Sequence, residues 1–302
     1  MAVHPKYIAE YIAFQTVGFF VRLLPVEAMP KLGFGIVRWF YPVLASRRRA
    51  AMRNLRNAYP EKSESELEQI AFHSFQHITT TFLELLWHPR LTPEIIKDRV
   101  HIENLDLLLG LAEKKKGIVF LTAHHGSWEL AVQALAVGTN LHYCAVAKKQ
   151  SNPLVDRLIT GWREAFGVKV ALMGPGVREI VRTLREGGVI ALIADQTAPI
   201  DSVPVEFFGR KVPTFEGPAV FSLKTGAPLV LGCAVRQEDG RYCMRLIHVP
   251  TDDLSGESGE NIAVLTQRQV RMTEDLIRKH PEQWMWMHKR WKHVPDREGV
   301  SA

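Results

Sequence analysis

Residues 123–129 read Ala-His-His-Gly-Ser-Trp-Glu, and three of these side chains, His124, His125 and Glu129, can hold or move a proton. A histidine is the usual general base near neutral pH, and a carboxylate on its Nδ1 proton leaves Nε2 free to take a proton from an alcohol. His124 and Glu129 are five positions apart. On one continuous helix that is about 500°, or about 140° around the axis, so they would not share a face. The pair works only with His124 in the loop before a helix and Glu129 in its first turn, where a negative charge suits the helix dipole. Gly126 supplies the bend. Ser127 lacks the Gly-x-Ser-x-Gly elbow of a serine nucleophile. The adjacent histidines cannot copy a His-Glu-x-x-His zinc helix, whose ligands are four apart. Spacing alone also fits a plainer reading, in which Glu129 caps the helix and His124 is simply hydrogen-bonded.

The elements around these residues are those of an α/β fold. Residues 117–123 form a short apolar run behind three lysines, the pattern of a buried strand. A helical pattern covers 128–136, and a strand-like run follows at 141–146. Asn152-Pro153 opens a helix that Gly167 stops. A strand at 168–173, a helix at 177–185 and a second buried strand at 189–194 complete the alternation. Upstream, Ser63-Glu-Ser-Glu66 reads as a capping box opening a helix that runs to Pro89. Near the end, residues 228–236 and 241–249 flank Glu238-Asp239-Gly240, which predicts an antiparallel hairpin and hence a mixed sheet. Two buried strands thus end at polar residues, one at His124 and one at Asp195-Gln196. Sites in open α/β sheets gather at such strand ends.

The chain has 302 residues, 46% of them hydrophobic, enough for a sizeable core. Its three cysteines are odd in number and lack zinc spacing. The net charge of +6 is concentrated: residues 1–60 hold nine basic and two acidic side chains, and the remainder sums to −1. These basic residues are mixed with apolar, aromatic-rich stretches at 7–24 and 32–45, which fits an anionic membrane face better than a nucleic acid. Glu10 and Arg22 interrupt the first stretch, leaving less than the roughly 20 apolar residues of a clean span. The expectation is a membrane-associated helical segment over 1–60, embedded or peripheral, followed by a catalytic domain over 61–302.

His124-x-x-x-x-Glu129 after an apolar strand is similar to the HX4D/E signature of glycerolipid-type acyltransferases, and the fuller text resembles the lipid A biosynthesis acyltransferases. Other blocks agree in the same order: Asn54-Leu55 with Tyr59-Pro60-Glu61, Asn152-Pro153 with Arg163 and Phe166-Gly167, Ala194-Asp195-Gln196, Phe207-Phe208-Gly209, Gly217-Pro218-Ala219, and Pro281-Glu-Gln-Trp-Met-Trp-Met-His-Lys-Arg-Trp291. His125 stands where the family usually has an apolar residue, and Ser127 replaces its common Asn. The resemblance implies a mixed-sheet acyltransferase fold and transfer of an acyl chain from acyl carrier protein or coenzyme A to a hydroxyl of a lipid A precursor. Such an enzyme needs no metal or cofactor and works at the cytoplasmic face of the inner membrane. Related mannoside acyltransferases share the pattern, so a phosphatidylinositol mannoside is the alternative acceptor.

By the same resemblance His124 is the general base, Glu129 its orienter, and Arg163, Asp195 and the adjacent Gln196 bind substrate or the oxyanion. From the residues alone, Arg163 could instead pair with Glu164 in solvent, and Asp195 could cap a turn. The three tryptophans of the last block suit interfacial anchoring or core packing better than base stacking.

Overall fold

The computed structural model describes residues 4–297. Its first third is helical: α1 (Pro5–Arg22), α2 (Met29–Phe40), α3 (Ala45–Ala58), α4 (Glu64–Trp87) and α5 (Pro93–Arg99). Strands and helices then alternate through β1 (Val100–Glu103), α6 (Leu105–Glu113), β2 (Ile118–Thr122), α7 (Trp128–Gly138), β3 (Tyr143–Ala147), α8 (Pro153–Glu164), β4 (Val168–Leu172), α9 (Val177–Arg185) and β5 (Val189–Ile193). After these come β6 (Pro204–Phe207), β7 (Arg210–Pro213), α10 (Gly217–Thr225), β8 (Leu229–Leu231), β9 (Val235–Arg236), β10 (Tyr242–Arg245), β11 (Ile247–Val249) and α11 (Gly259–Lys279).

The main sheet has six strands in the order β11-β8-β2-β5-β3-β4, all parallel neighbours except the antiparallel β11–β8 edge. β2 is buried along its whole length, as a strand covered on both faces must be. Its side chains alternate between two helical layers. Ile118 and Phe120 pack with Leu108, Leu130 and Leu135 from α6 and α7. Val119 and Leu121 pack with Ile180, Leu184, Ala219 and Leu265 from α9, α10 and α11. The sheet is mixed, as expected.

The expected hairpin is divided between two sheets. β9 and β10 pair antiparallel across the turn, in a small sheet with β1, whereas β8 and β11 pair in the main sheet. The break falls at Gly232, where a Cβ would come within 3.0 Å of Phe120 and Leu246. The capping box forms: the Ser63 hydroxyl accepts the Glu66 amide, and the Glu66 carboxylate accepts the Ser63 amide.

The described part of this N-terminal segment packs against the rest of the chain. The Trp87 indole donates to the Leu24 carbonyl, and Gly33 of α2 lies against Thr80 of α4, with room for no side chain. Leu55, Ala51 and Tyr59 share one aromatic core with Phe207, Phe208, Trp284, Trp286 and Trp291. The three C-terminal tryptophans are therefore core residues. The outer face of the first helices is apolar: Phe19, Phe20, Leu23, Trp39, Phe40 and Val43 are all exposed. Among the described residues no single helix is long and apolar enough to cross a membrane, but α1 and the 26–43 segment together are, with a bend of 105° between them.

Candidate active site

β2 and β5 are adjacent and parallel, with Thr122 opposite Ile193. The residues that follow, Ala123-His124 and Ala194-Asp195, therefore emerge side by side at the carboxyl end of the sheet. Asp195 accepts two bonds from His124, one from the ring Nδ1 at 2.7 Å and one from the backbone amide at 2.7 Å. Its second oxygen also accepts the Trp284 indole N–H at 2.8 Å. Burial pushes the Asp195 carboxyl up, but His124 and these three donors outweigh it and hold the group down at about 2. Asp195 is thus a buried anion that fixes the imidazole with its proton on Nδ1. Nε2 is left as the acceptor, and the Gln196 amide lies 3.3 Å from it. The Trp128 ring packs edge-on against the imidazole, with centroids 5.0 Å apart.

The loop carrying His124 is clamped on both sides. Its carbonyl accepts the Met285 amide at 3.0 Å, the Gly126 amide donates to Gln283, and the Ser127 amide donates to Ala234. Gly126 has φ +60°, and a Cβ there would lie 1.9 Å from the Ala234 carbonyl oxygen. Only glycine fits this close approach of two backbones. Gln283 in turn exchanges two bonds with the backbone of Arg236, each 2.8 Å. Arg236 forms a bidentate pair with Glu84, which Arg99 and the Tyr242 hydroxyl also contact. This buried cluster joins α4, α5, β9 and β10 beneath the loop.

Glu129 lies in the first turn of α7, where the spacing places it, but its partner differs from the expected one. Both of its oxygens are taken by Arg163, Nε at 3.0 Å and Nη2 at 2.5 Å. The expected bond from His124 Nδ1 goes to Asp195 instead. The physical reason is competition: the strand register delivers Asp195 to Nδ1, and the last turn of α8 delivers a guanidinium fork to Glu129. Arg163 is half-buried against Glu129 rather than paired in solvent with Glu164. Burial disfavours the charged guanidinium, but the Glu129 carboxylate more than offsets it and keeps Arg163 cationic.

All five expected site residues therefore lie at one end of the sheet, as two linked groups: His124, Asp195 and Gln196, and the Glu129–Arg163 pair. A narrow cavity of about 50 Å³ adjoins the second group, lined by Trp128, Val132, Ala145, Val146 and Ile193. Trp284 was not singled out from the sequence as a site residue. Its only signal was membership of the tryptophan-rich C-terminal block.

A family model described as bacterial lipid A biosynthesis acyltransferase matches residues 2–293. The chain belongs to that family. It is accordingly an acyltransferase. It is 25% identical to a lipid A biosynthesis lauroyltransferase of Escherichia coli, over 99% of this chain and 96% of the relative. It is also 25% identical to the lipid A biosynthesis myristoyltransferase of the same organism, over 94% and 91%. A phosphatidylinositol mannoside acyltransferase of Mycobacterium tuberculosis is 27% identical over 64% of this acyltransferase and 60% of its own length.

Proposed function

We propose that this enzyme transfers a fatty acyl chain from an acyl thioester, carried by acyl carrier protein or coenzyme A, to a hydroxyl of a lipid A precursor at the cytoplasmic face of the inner membrane. The observation that carries the reading is the 2.7 Å bond from His124 Nδ1 to the buried Asp195 carboxylate. It leaves Nε2 as a base toward the open side of the site, where an acceptor hydroxyl takes the place of the Gln196 amide. As that hydroxyl attacks the thioester carbon, its proton passes to Nε2, and Asp195 stabilises the imidazolium that forms. The tetrahedral oxyanion then collapses, the carbon–sulfur bond breaks, and the proton on Nε2 goes to the departing thiolate. Arg163 has one terminal nitrogen, Nη1, that Glu129 does not engage, and it supplies positive charge for the oxyanion or an acceptor phosphate. The apolar cavity beside this pair suits the start of a hydrocarbon chain.

The exposed apolar face of α1 and α2, followed at once by Arg47, Arg48 and Arg49, supports seating on an anionic bilayer. The mannoside-acylating relative keeps a phosphatidylinositol mannoside as the second acceptor to test. Mass spectrometry of lipids from cells lacking the gene separates the two. The proposal requires under-acylated lipid A, and normal lipid A beside an altered glycolipid or glycerophospholipid would overturn it.

A further inference from the structure

Between α3 and the C-terminal block lies an open groove of about 230 Å³ whose charged lining is entirely basic. Arg49 and Arg53 line it from α3, and Lys289 and Lys292 from the opposite wall. The buried Trp291 and Asn54 contribute to its lining, and Asn54 is held rigid by its bonds to the carbonyls of Trp286 and His288. Arg53 is paired with Asp296 at 2.7 Å. Among the described residues Arg49, Lys289 and Lys292 have no carboxylate partner. Three uncompensated cations beside a fourth repel one another unless an anion joins them.

Two neighbours say which anion. On the inner side, the Thr197 hydroxyl donates to the Lys289 carbonyl, two residues after Asp195, and His288 lies within electrostatic reach of Asp195, His124 and Arg47. The groove therefore borders the mouth of the catalytic site. On the outer side, α3 begins directly after the exposed Trp39, Phe40, Val43 and Leu44. A group in the groove is thus flanked by a surface suited to lipid and by the general base. Arginine forks and lysine ammonium groups around a small concave site are phosphate-binding chemistry.

We propose that this groove binds the phosphate ester of a lipid substrate and so holds the acceptor against His124. The proposal rests on the reading of a lipid acceptor, but its test involves no turnover. The full-length protein in detergent is mixed with phosphatidylcholine vesicles, with and without about 20 mole per cent phosphatidic acid, whose negative surface attracts basic side chains, and co-sedimentation is measured. The double variant Arg49→Gln with Lys292→Gln should lose at least about tenfold of the preference for phosphatidic acid, and inorganic phosphate should compete with the wild type. The control Lys31→Gln with Arg38→Gln removes the same charge from α2, outside the groove, and should cost clearly less of the preference than the groove variant. Equal losses in both double variants would mean a diffuse surface field and would overturn the groove. Unchanged vesicle binding with weakened capture of acyl carrier protein would make it a protein-docking surface, which also overturns the proposal. Phosphate binding by a protein that acylates no lipid A precursor would refute the proposed function and leave the groove standing.

Discussion

Replacing Asp195 with Asn separates the two carboxylates that could orient His124. In the structure, one Asp195 oxygen accepts the His124 amide and the Trp284 indole N–H, and the other accepts His124 Nδ1. An asparagine must place its single oxygen toward the two fixed donors. Its NH2 group then faces Nδ1, which must become an acceptor, and the imidazole proton moves to Nε2. A histidine in that tautomer cannot take a proton from a hydroxyl. The same exchange in Ser-His-Asp enzymes preserves geometry and lowers kcat by about 10⁴, equivalent to about 5 kcal/mol of transition-state stabilisation. The predicted loss for Asp195→Asn is therefore about 10³–10⁴ in kcat with little change in donor KM. The assay follows free thiol released from the acyl thioester in the presence of acceptor, with circular dichroism confirming the fold. Glu129→Gln should cost less, because it weakens the Arg163 pair but leaves the proton on Nδ1. An Asp195→Asn enzyme retaining more than a tenth of wild-type kcat, beside an inactive Glu129→Gln enzyme, would refute this assignment and restore Glu129 as orienter.

Three further outcomes follow from the framework under the site. Glu84→Gln leaves Arg236 and Arg99 buried with too little negative charge and should destabilise the protein by about 3–5 kcal/mol, read as a lowered denaturation midpoint; an unchanged midpoint would show that the cluster is not rigidly buried. Gly126→Ala should misfold the His124 loop and abolish activity, because neither the positive φ nor the Ala234 carbonyl leaves room for a methyl group; an active Gly126→Ala enzyme would contradict that backbone contact. Burial pushes the imidazoles of His125 and His88 down from 6.5 to about 4 and that of His77 to about 3. Between pH 6.5 and 4 the unfolded chain therefore binds protons that the folded chain refuses, so stability falls as pH falls, by roughly 3 kcal/mol for His125 alone. The depressed Asp195 acts in a lower window, its contribution being lost only as pH falls from 3.8 through about 2. Melting temperatures measured from pH 7 to 4 should decline steadily, and a flat profile would mean that these histidines take up protons as readily in the folded chain as in the unfolded one.

Much of the scaffold was legible because its residues announce it locally. The apolar run ending at Thr122, the capping box at Ser63 and the glycine stop at 167 each fix an element within a few residues. The convergence of His124 with Asp195 was legible in outline, since two buried strands both end in Ala followed by a polar residue. Which carboxylate reaches Nδ1 was not. Helical geometry permits Glu129, and the competitor that captures it, Arg163, is 34 residues away on another helix. Trp284 lies 89 residues from Asp195, and a buried tryptophan gives no sign in sequence of where its N–H points. The β6–β7 hairpin escaped because each strand is four residues long and bounded by proline. The close packing of α1, α2 and α3 on α4 was equally hidden, since a helix that lies on lipid and one that lies on protein present similar apolar stripes.

The most direct test of the account is transfer of a labelled acyl group from an acyl carrier protein or coenzyme A thioester to a lipid A precursor, comparing the wild type with His124→Ala. The account predicts transfer by the wild type. It also predicts a variant that folds and binds membranes normally but has lost about 10²–10⁴ in rate. Turnover by His124→Ala close to that of the wild type would contradict it.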